Sequence, residues 1–219
     1  MTIKVGINGM GRIGRMVIRA IIESKNKNIE IKHINNRSNS EASCTLIKYD
    51  SIHGKFNADL DFDKDHIIIN KNKITFSQES KIEDINWKKF NVDYVFECTG
   101  KFNSKDKLLA HIKNGAKKVI VSAPCKDADK TIVYGVNENL LSKDDQIISA
   151  ASCTTNCLAP VANVLNENFE IEKGFMTTIH AFTSDQRILD NSHKDPRRAR
   201  SASQSIVPTS TGASKAIGE

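Results

Sequence analysis

Ile3-Lys4-Val5-Gly6-Ile7-Asn8-Gly9-Met10-Gly11-Arg12-Ile13-Gly14 is the stretch that decides the fold. Residues 3–8 alternate towards Ile7, as a strand does, and end in a glycine-rich turn. From Ile13 on, Val17, Ile18, Ile21 and Ile22 recur at helical spacing, and Ile29-Glu30-Ile31-Lys32-His33-Ile34 reads as a second strand. G-x-G-x-x-G alone is a weak signal. Here it has its strand, its helix and a returning strand within one βαβ unit, the context that predicts dinucleotide binding. Gly9 permits the tight turn, Gly11 lets a pyrophosphate approach the backbone, and Gly14 lets helix and strand pack closely. Asn8, Arg12 and Ile13 belong to the same turn and complete its candidate cofactor set.

The second strand runs out at Asn35-Asn36-Arg37-Ser38. NAD binders usually place an acidic residue here, about 20 residues past the glycines, to hold the ribose hydroxyls. This chain has Asn36. An amide still accepts from a ribose hydroxyl but does not repel a 2′-phosphate, which Arg37 and Ser38 are placed to bind. The pattern predicts NADP or dual use. The plainer alternative is NAD, with Arg37 in solvent.

Further along, Ser38-Asn39-Ser40-Glu41 has the form of a capping box opening a helix through Leu46 and Ile47. Alternating pieces around 57–62, 66–70 and 73–77 read as inserted hairpins. Val92-Asp93-Tyr94-Val95-Phe96 and Lys118-Val119-Ile120-Val121-Ser122 read as strands, with a helix around Leu108, Leu109 and Ile112 between them. The expectation is an α/β fold: a Rossmann-like, doubly wound parallel sheet with inserted hairpins. Ligands of such sheets bind beyond the strand carboxyl ends, so Asn8-Gly9, Asn36, Thr99-Gly100 and Ser122 should line one crevice.

Ile147-Ile148 leads towards the same edge and into Ser149-Ala150-Ala151-Ser152-Cys153-Thr154-Thr155-Asn156-Cys157. Leu158, Val161, Ala162, Val164 and Leu165 then recur at helical spacing. Cys153 sits where strand hands over to helix, with Ser152 in N-cap position. Unpaired N–H groups and the helix dipole favour a thiolate there, and Ser152 and Thr154 add donors for an anion. A buried structural cysteine is the bland alternative. Gly174 to Thr183 is rich in β-formers and carries His180, a base whose ordinary pKa lies near neutrality, or else a structural strand histidine.

With 219 residues, 39% hydrophobic and 26% charged, the composition is that of a soluble globular protein rather than a disordered one. Apolar runs are too short for a transmembrane helix, and the start lacks a signal-peptide pattern. The five cysteines are odd in number and fit no disulfide framework or zinc site, so the reading is a cytoplasmic protein in a reducing compartment, with no metal. The net charge of +6 is spread without a long basic block, and phosphorylated small molecules account for it as well as nucleic acid does.

Gly6-Ile7-Asn8-Gly9-Met10-Gly11-Arg12-Ile13-Gly14-Arg15, Tyr49-Asp50-Ser51-Ile52-His53-Gly54, the cysteine segment 152–157, His193-Lys194-Asp195 and Pro208-Thr209-Ser210-Thr211-Gly212 together resemble the phosphorylating glyceraldehyde-3-phosphate dehydrogenases. The resemblance implies that Cys153 is the nucleophile and His180 the base that activates it. It implies Ser152, Thr154, Thr211 and Gly212 around the attacking inorganic phosphate, and Thr183 with Arg198 around the phosphate of glyceraldehyde 3-phosphate. It also implies a homotetramer at full length. Asn191-Ser192 resembles the NADP-using members, in agreement with Asn36. The division expected is a dinucleotide-binding domain over 1–151 and the beginning of an α+β catalytic domain over 152–219, too short for a full second core, as in a fragment. Two other readings stay open: erythrose-4-phosphate dehydrogenase, against which Thr211-Gly212 argues, and a non-catalytic nucleotide- or RNA-binding fragment.

Overall fold

The computed structural model describes residues 2–211. They divide into a unit ending at Cys153 and a second beginning at Thr154. The first unit opens with β1 (Ile3–Asn8), α1 (Arg12–Glu23) and β2 (Ile29–Asn35), the βαβ unit expected from the glycine pattern. α2 (Ser40–Lys48) follows, then a small antiparallel pair, β3 (Tyr49–Asp50) and β4 (Gly54–Lys55). The hairpin region forms β5 (Leu60–Asp63), β6 (His66–Ile69) and β7 (Asn72–Ser77). After it come β8 (Tyr94–Glu97), α3 (Lys105–Lys113), β9 (Lys118–Val121), β10 (Lys130–Thr131) and β11 (Ile147–Ser149).

Among the described residues one sheet runs in the order β10-β11-β9-β8-β1-β2-β7-β6-β5. Every pairing from β10 to β7 is parallel, and only β7-β6 and β6-β5 are antiparallel. The meander is thus an extension of the parallel sheet, with β7 beside β2. Apolar residues cover both of its faces, as a parallel sheet requires. One cluster gathers Val5, Ile7, Ile18, Ile34, Ile47 and Ile67, and another gathers Trp87, Val92, Val95, Leu108, Val119 and Ile147.

Two local expectations are corrected. The cap of α2 is Asn39, whose side chain accepts from the Ala42 amide, so Ser38 opens no capping box. The Asx carboxamide one residue later reaches the first-turn donor itself. Ile13 is 46% exposed at the start of α1, apart from the buried Ile18 and the half-buried Val17, Ile21 and Ile22.

In the second unit α4 (Cys153–Phe169) continues from the cysteine, with Pro160 inside it. Its Val161, Val164, Leu165 and Phe169 are exposed. The strand expected over Gly174–Thr183 does not form: these residues are irregular. β-propensity reports fit to a pleated, half-buried surface, and among the described residues of this unit no neighbouring strand supplies one. A short 3₁₀ turn over Pro196–Ala199 is the remaining regular element here among the described residues.

Candidate functional site

The parallel strands β1, β2, β8 and β9 end together, at Asn8, Asn35, Glu97 and Val121. Backbone bonds stitch that edge. Gly9 N donates to Asn35 O at 2.8 Å, Cys98 N to Asn8 O at 2.8 Å, and Ser122 N to Glu97 O at 3.0 Å. Asn8-Gly9, Asn36, Thr99-Gly100 and Ser122 are therefore brought to one edge, as the alternation of strands and helices predicts.

The three glycines divide their work as the motif requires. Gly9 has φ +94°, a left-handed conformation costly for other residues, and a Cβ there would lie 2.8 Å from the Thr99 amide nitrogen. A Cβ on Gly14 would lie 2.0 Å from the Gly9 carbonyl oxygen, so this contact holds helix to turn. A Cβ on Gly11 would meet nothing within 4 Å. That open space, at the unpaired N–H groups of the α1 start, fits a pyrophosphate.

Asn36 is tied into the turn: Oδ1 accepts from Met10 N at 3.3 Å and Nδ2 donates to Ser43 Oγ at 3.1 Å. No carboxylate stands at this position, and Arg37 beside it is exposed. Arg12 is bound on one side, through Nη1 to Asp50 Oδ2 at 2.6 Å, while its side chain stays 41% exposed. That bond, with the His53 and Ile52 amides, holds the Asp50 carboxyl well below the usual carboxylate range. Asp50 thereby fastens the β3–β4 loop to the α1 start, a role the sequence reading did not assign.

The cysteines sort by environment, and none forms a disulfide. Burial pushes the Cys98 thiol up to about 12, against an opposing hydrogen bond with Ser122. Burial likewise raises Cys44 and Cys125. Cys153 and Cys157 are exposed. β11 pairs parallel to β9 and Ala150 N donates to Val121 O at 2.8 Å, so the chain reaches Cys153 from the same sheet edge as the glycine turn. Ala151 turns it there with φ +57°, uncommon for a residue with a Cβ. Ser152 and Thr154, on either side of Cys153, are half-buried.

In the second unit His180 is exposed, and its Nδ1 donates to Ala181 O at 2.6 Å. A carbonyl only accepts, so Nδ1 carries the hydrogen and Nε2 is the basic nitrogen. Arg198 Nη1 binds Asp185, whose amide in turn donates to Thr183 Oγ1 at 3.4 Å; Asp185 thus brings the two expected phosphate ligands into one loop cluster. Arg198 Nη2 also donates to Thr209 Oγ1 at 3.1 Å and Ser210 O at 3.0 Å. The Ser192 carbonyl accepts from Arg187. Thr211 is exposed, and Gly212 lies outside the described residues.

A parallel sheet, a glycine turn with an open second glycine and amide-bearing strand ends define a Rossmann-type dinucleotide-binding unit. Residues 3–105 match the family model described as glyceraldehyde 3-phosphate dehydrogenase, NAD binding domain, and residues 152–219 match that of its C-terminal domain. The chain belongs to the glyceraldehyde-3-phosphate dehydrogenase family. It is 51% identical over 218 residues to a glyceraldehyde-3-phosphate dehydrogenase of Cereibacter sphaeroides, covering 100% of this chain and 65% of that protein. It is 50% identical to glyceraldehyde-3-phosphate dehydrogenase 2 of Bacillus subtilis, covering 99% of this chain and 64% of the relative. The chain thus spans slightly less than two thirds of the length of these curated relatives.

Proposed function

We propose that the protein is an NAD(P)-dependent, phosphorylating aldehyde dehydrogenase acting on glyceraldehyde 3-phosphate. Residues 1–151 are its dinucleotide-binding domain and 152–219 the beginning of its catalytic domain. The observation that carries this reading is the sorting of thiols. Burial raises the pKa of three of them, while Cys153 stands exposed at a helix start, on the sheet edge where Gly11 leaves room for a pyrophosphate.

In the proposed cycle the Cys153 thiolate adds to the aldehyde carbon and forms a thiohemiacetal. His180 Nε2 takes the hydroxyl proton as the C–H hydride leaves, and the carbon becomes a thioester. Bound nicotinamide supplies the hydride acceptor. Inorganic phosphate, held by Ser152, Thr154, Thr211 and Gly212, attacks the thioester and releases the thiolate and an acyl phosphate. Thr183 and Arg198 hold the substrate's own phosphate, with Arg198 exchanging its contact to Asp185 for it.

Asn8, Gly9, Gly11, Arg12, Ile13, Gly14, Asn36, Arg37, Thr99, Gly100, Ser122 and Ser192 make up the cofactor site. An amide rather than a carboxylate at Asn36 supports NADP or dual use. The working form is a cytoplasmic homotetramer. No helix among the described residues is long and apolar enough to cross a membrane.

Steady-state rates of the full-length protein with glyceraldehyde 3-phosphate and erythrose 4-phosphate, with and without phosphate, test the assignment. The expected outcome is faster, phosphate-dependent turnover of the first aldehyde, abolished by Cys153→Ser. Preference for the second aldehyde, or an activity that survives Cys153→Ser, would overturn it. Asn36→Asp is expected to weaken NADP binding about tenfold relative to NAD, of the order of one repulsive charge contact near the surface. An unchanged NADP-to-NAD ratio contradicts the reading of Asn36.

A further inference from the structure

A fully buried carboxylate lies beneath the cofactor edge. Glu97, the last residue of β8, is 1% exposed, and no Lys or Arg forms an ion pair with it among the described residues. A lone buried charge costs several kcal/mol unless hydrogen bonds replace its water. Here four do. Oε1 accepts from the amide and the hydroxyl of Thr99, the amide at 2.8 Å. Oε2 accepts from Asn8 Nδ2 at 2.6 Å and from His111 Nε2 at 3.0 Å.

The direction of these bonds is fixed from both ends. On one side Trp87 Nε1 bonds His111 Nδ1 at 2.8 Å, and an indole nitrogen can only donate. Nδ1 therefore accepts, and the hydrogen of His111 sits on Nε2, aimed at Glu97. On the other side the Asn35 carboxamide is oriented by backbone: Oδ1 accepts from Glu79 N at 2.8 Å and Nδ2 donates to Glu79 O at 3.0 Å. Asn35 Nδ2 also donates to Asn8 Oδ1 at 2.9 Å, which turns Asn8 Nδ2 towards Glu97. Two donors thus converge on one oxygen and two on the other, a demand that a carboxylate meets and a carboxamide of the same shape does not.

We infer that Glu97 is a positioning residue for dinucleotide binding, setting the Thr99 turn and the Asn8 side chain against the glycine turn through a hydrogen-bond chain whose polarity runs inward from Trp87 and Glu79. The inference rests on the reading of this edge as the dinucleotide site. Its reach to the ligand is short. Thr99 N lies 2.8 Å from where a Cβ of Gly9 would be, so a shift of Thr99 is a shift of the wall of that turn. Asn8, Asn35 and Glu97 close three neighbouring strands, and the chain joins all three ends.

Calorimetric titration of the full-length protein with NAD and NADP tests this. Glu97→Gln puts N–H against N–H in either amide orientation, and at least a tenfold weaker dissociation constant is expected, with the far-ultraviolet circular dichroism unchanged. Trp87→Phe combined with Glu97→Gln distinguishes polarity from packing. Without the indole, His111 can carry its hydrogen on Nδ1 and accept at Nε2 from the new amide, which relieves one of the two opposed donors and leaves Asn8 Nδ2. The double variant is therefore expected to bind more tightly than Glu97→Gln but less tightly than wild type. Equal binding by Glu97→Gln and wild type, or a double variant at least as weak as Glu97→Gln, overturns the inference. Wild-type protein that binds neither dinucleotide overturns the reading of the site and this inference with it. Should the variants not fold, nitrogen NMR shifts of His111 in the wild type decide. A hydrogen on Nε2 supports the chain, and one on Nδ1 overturns it.

Discussion

The two units use similar residues to opposite ends. In the first, Ile7, Ile18, Ile34, Ile47 and Trp87 are buried to within 2% and the strand ends are joined by side chains. In the second, Phe175, Ile179, Leu189 and Ile206 are each at least 78% exposed, and a β-rich stretch stays irregular. Apolar composition is therefore not what separates them. A strand is stable once a neighbour takes its hydrogen bonds and a face is covered, and the first unit supplies both from its own sequence. Burial is concentrated where the dinucleotide edge is built, while Thr183, Arg198 and His180 stand on segments that bury little. An edge joined by hydrogen bonds in this way suits binding that must be pre-formed.

The largest expected effect breaks that contrast directly. Ile34→Ala, at a residue 0% exposed, is expected to cost about 2–5 kcal/mol in denaturant unfolding of this chain. Phe175→Ala, at a fully exposed residue, is expected to change stability by no more than about 0.5 kcal/mol. Comparable losses at both positions would show that the second unit has a core of its own.

A pH dependence comes next. His33 is 0% exposed, stacked on Phe90, with Nδ1 2.8 Å from Thr75 Oγ1 and Nε2 2.8 Å from Ser77 Oγ. Burial pulls its pKa from 6.5 down to about 3. Two hydroxyl neighbours also suit a doubly protonated ring, but Ser77 can turn its hydrogen from Asn35 to Nε2, and burial then decides for the neutral form. The unfolded chain binds a proton near 6.5 that the folded one refuses. Stability is complete above that pH and falls by about 1.4 kcal/mol per unit below it, until about pH 4, where the carboxylates join in. His33→Asn is expected to flatten this slope in unfolding measured from pH 7 to 4.5. An unaltered slope contradicts the assignment.

Smaller effects separate fold from site within the glycine turn. Gly14→Ala forces a methyl onto the Gly9 carbonyl and is expected to cost about 1–3 kcal/mol and to abolish dinucleotide binding. Gly11→Ala meets no neighbour and is expected to leave the melting temperature unchanged while weakening dinucleotide binding at least tenfold. A Gly11→Ala protein that binds normally removes Gly11 from the site.

Much of the first unit was legible because its signals are local. Alternation gave β1, short runs rich in apolar residues gave β2, β8 and β9, helical spacing gave α1 and α3, and the glycine spacing gave the turn between β1 and α1. What was not legible depends on distant partners. Nothing in residues 72–77 says that they pair with β2, and nothing local shows that Asn39 rather than Ser38 reaches the Ala42 amide. The β-rich stretch around His180 has the right residues and lacks a ladder. Glu97 directly follows an apolar run, but its partners Asn8 and His111 lie 89 and 14 residues away in sequence, so nothing local shows what it binds. Asp50 and Asp185, which hold Arg12 and Arg198, were hidden for the same reason.

The central claim is that Cys153 takes the acyl group as hydride leaves for the cofactor bound at the glycine edge. Mixing full-length protein with glyceraldehyde 3-phosphate and NAD or NADP, in the absence of phosphate, tests it most directly. The expected result is a burst of one reduced nicotinamide per Cys153, halting until phosphate is added and absent in Cys153→Ser. Continuous turnover without phosphate, or a burst that persists in Cys153→Ser, would contradict it.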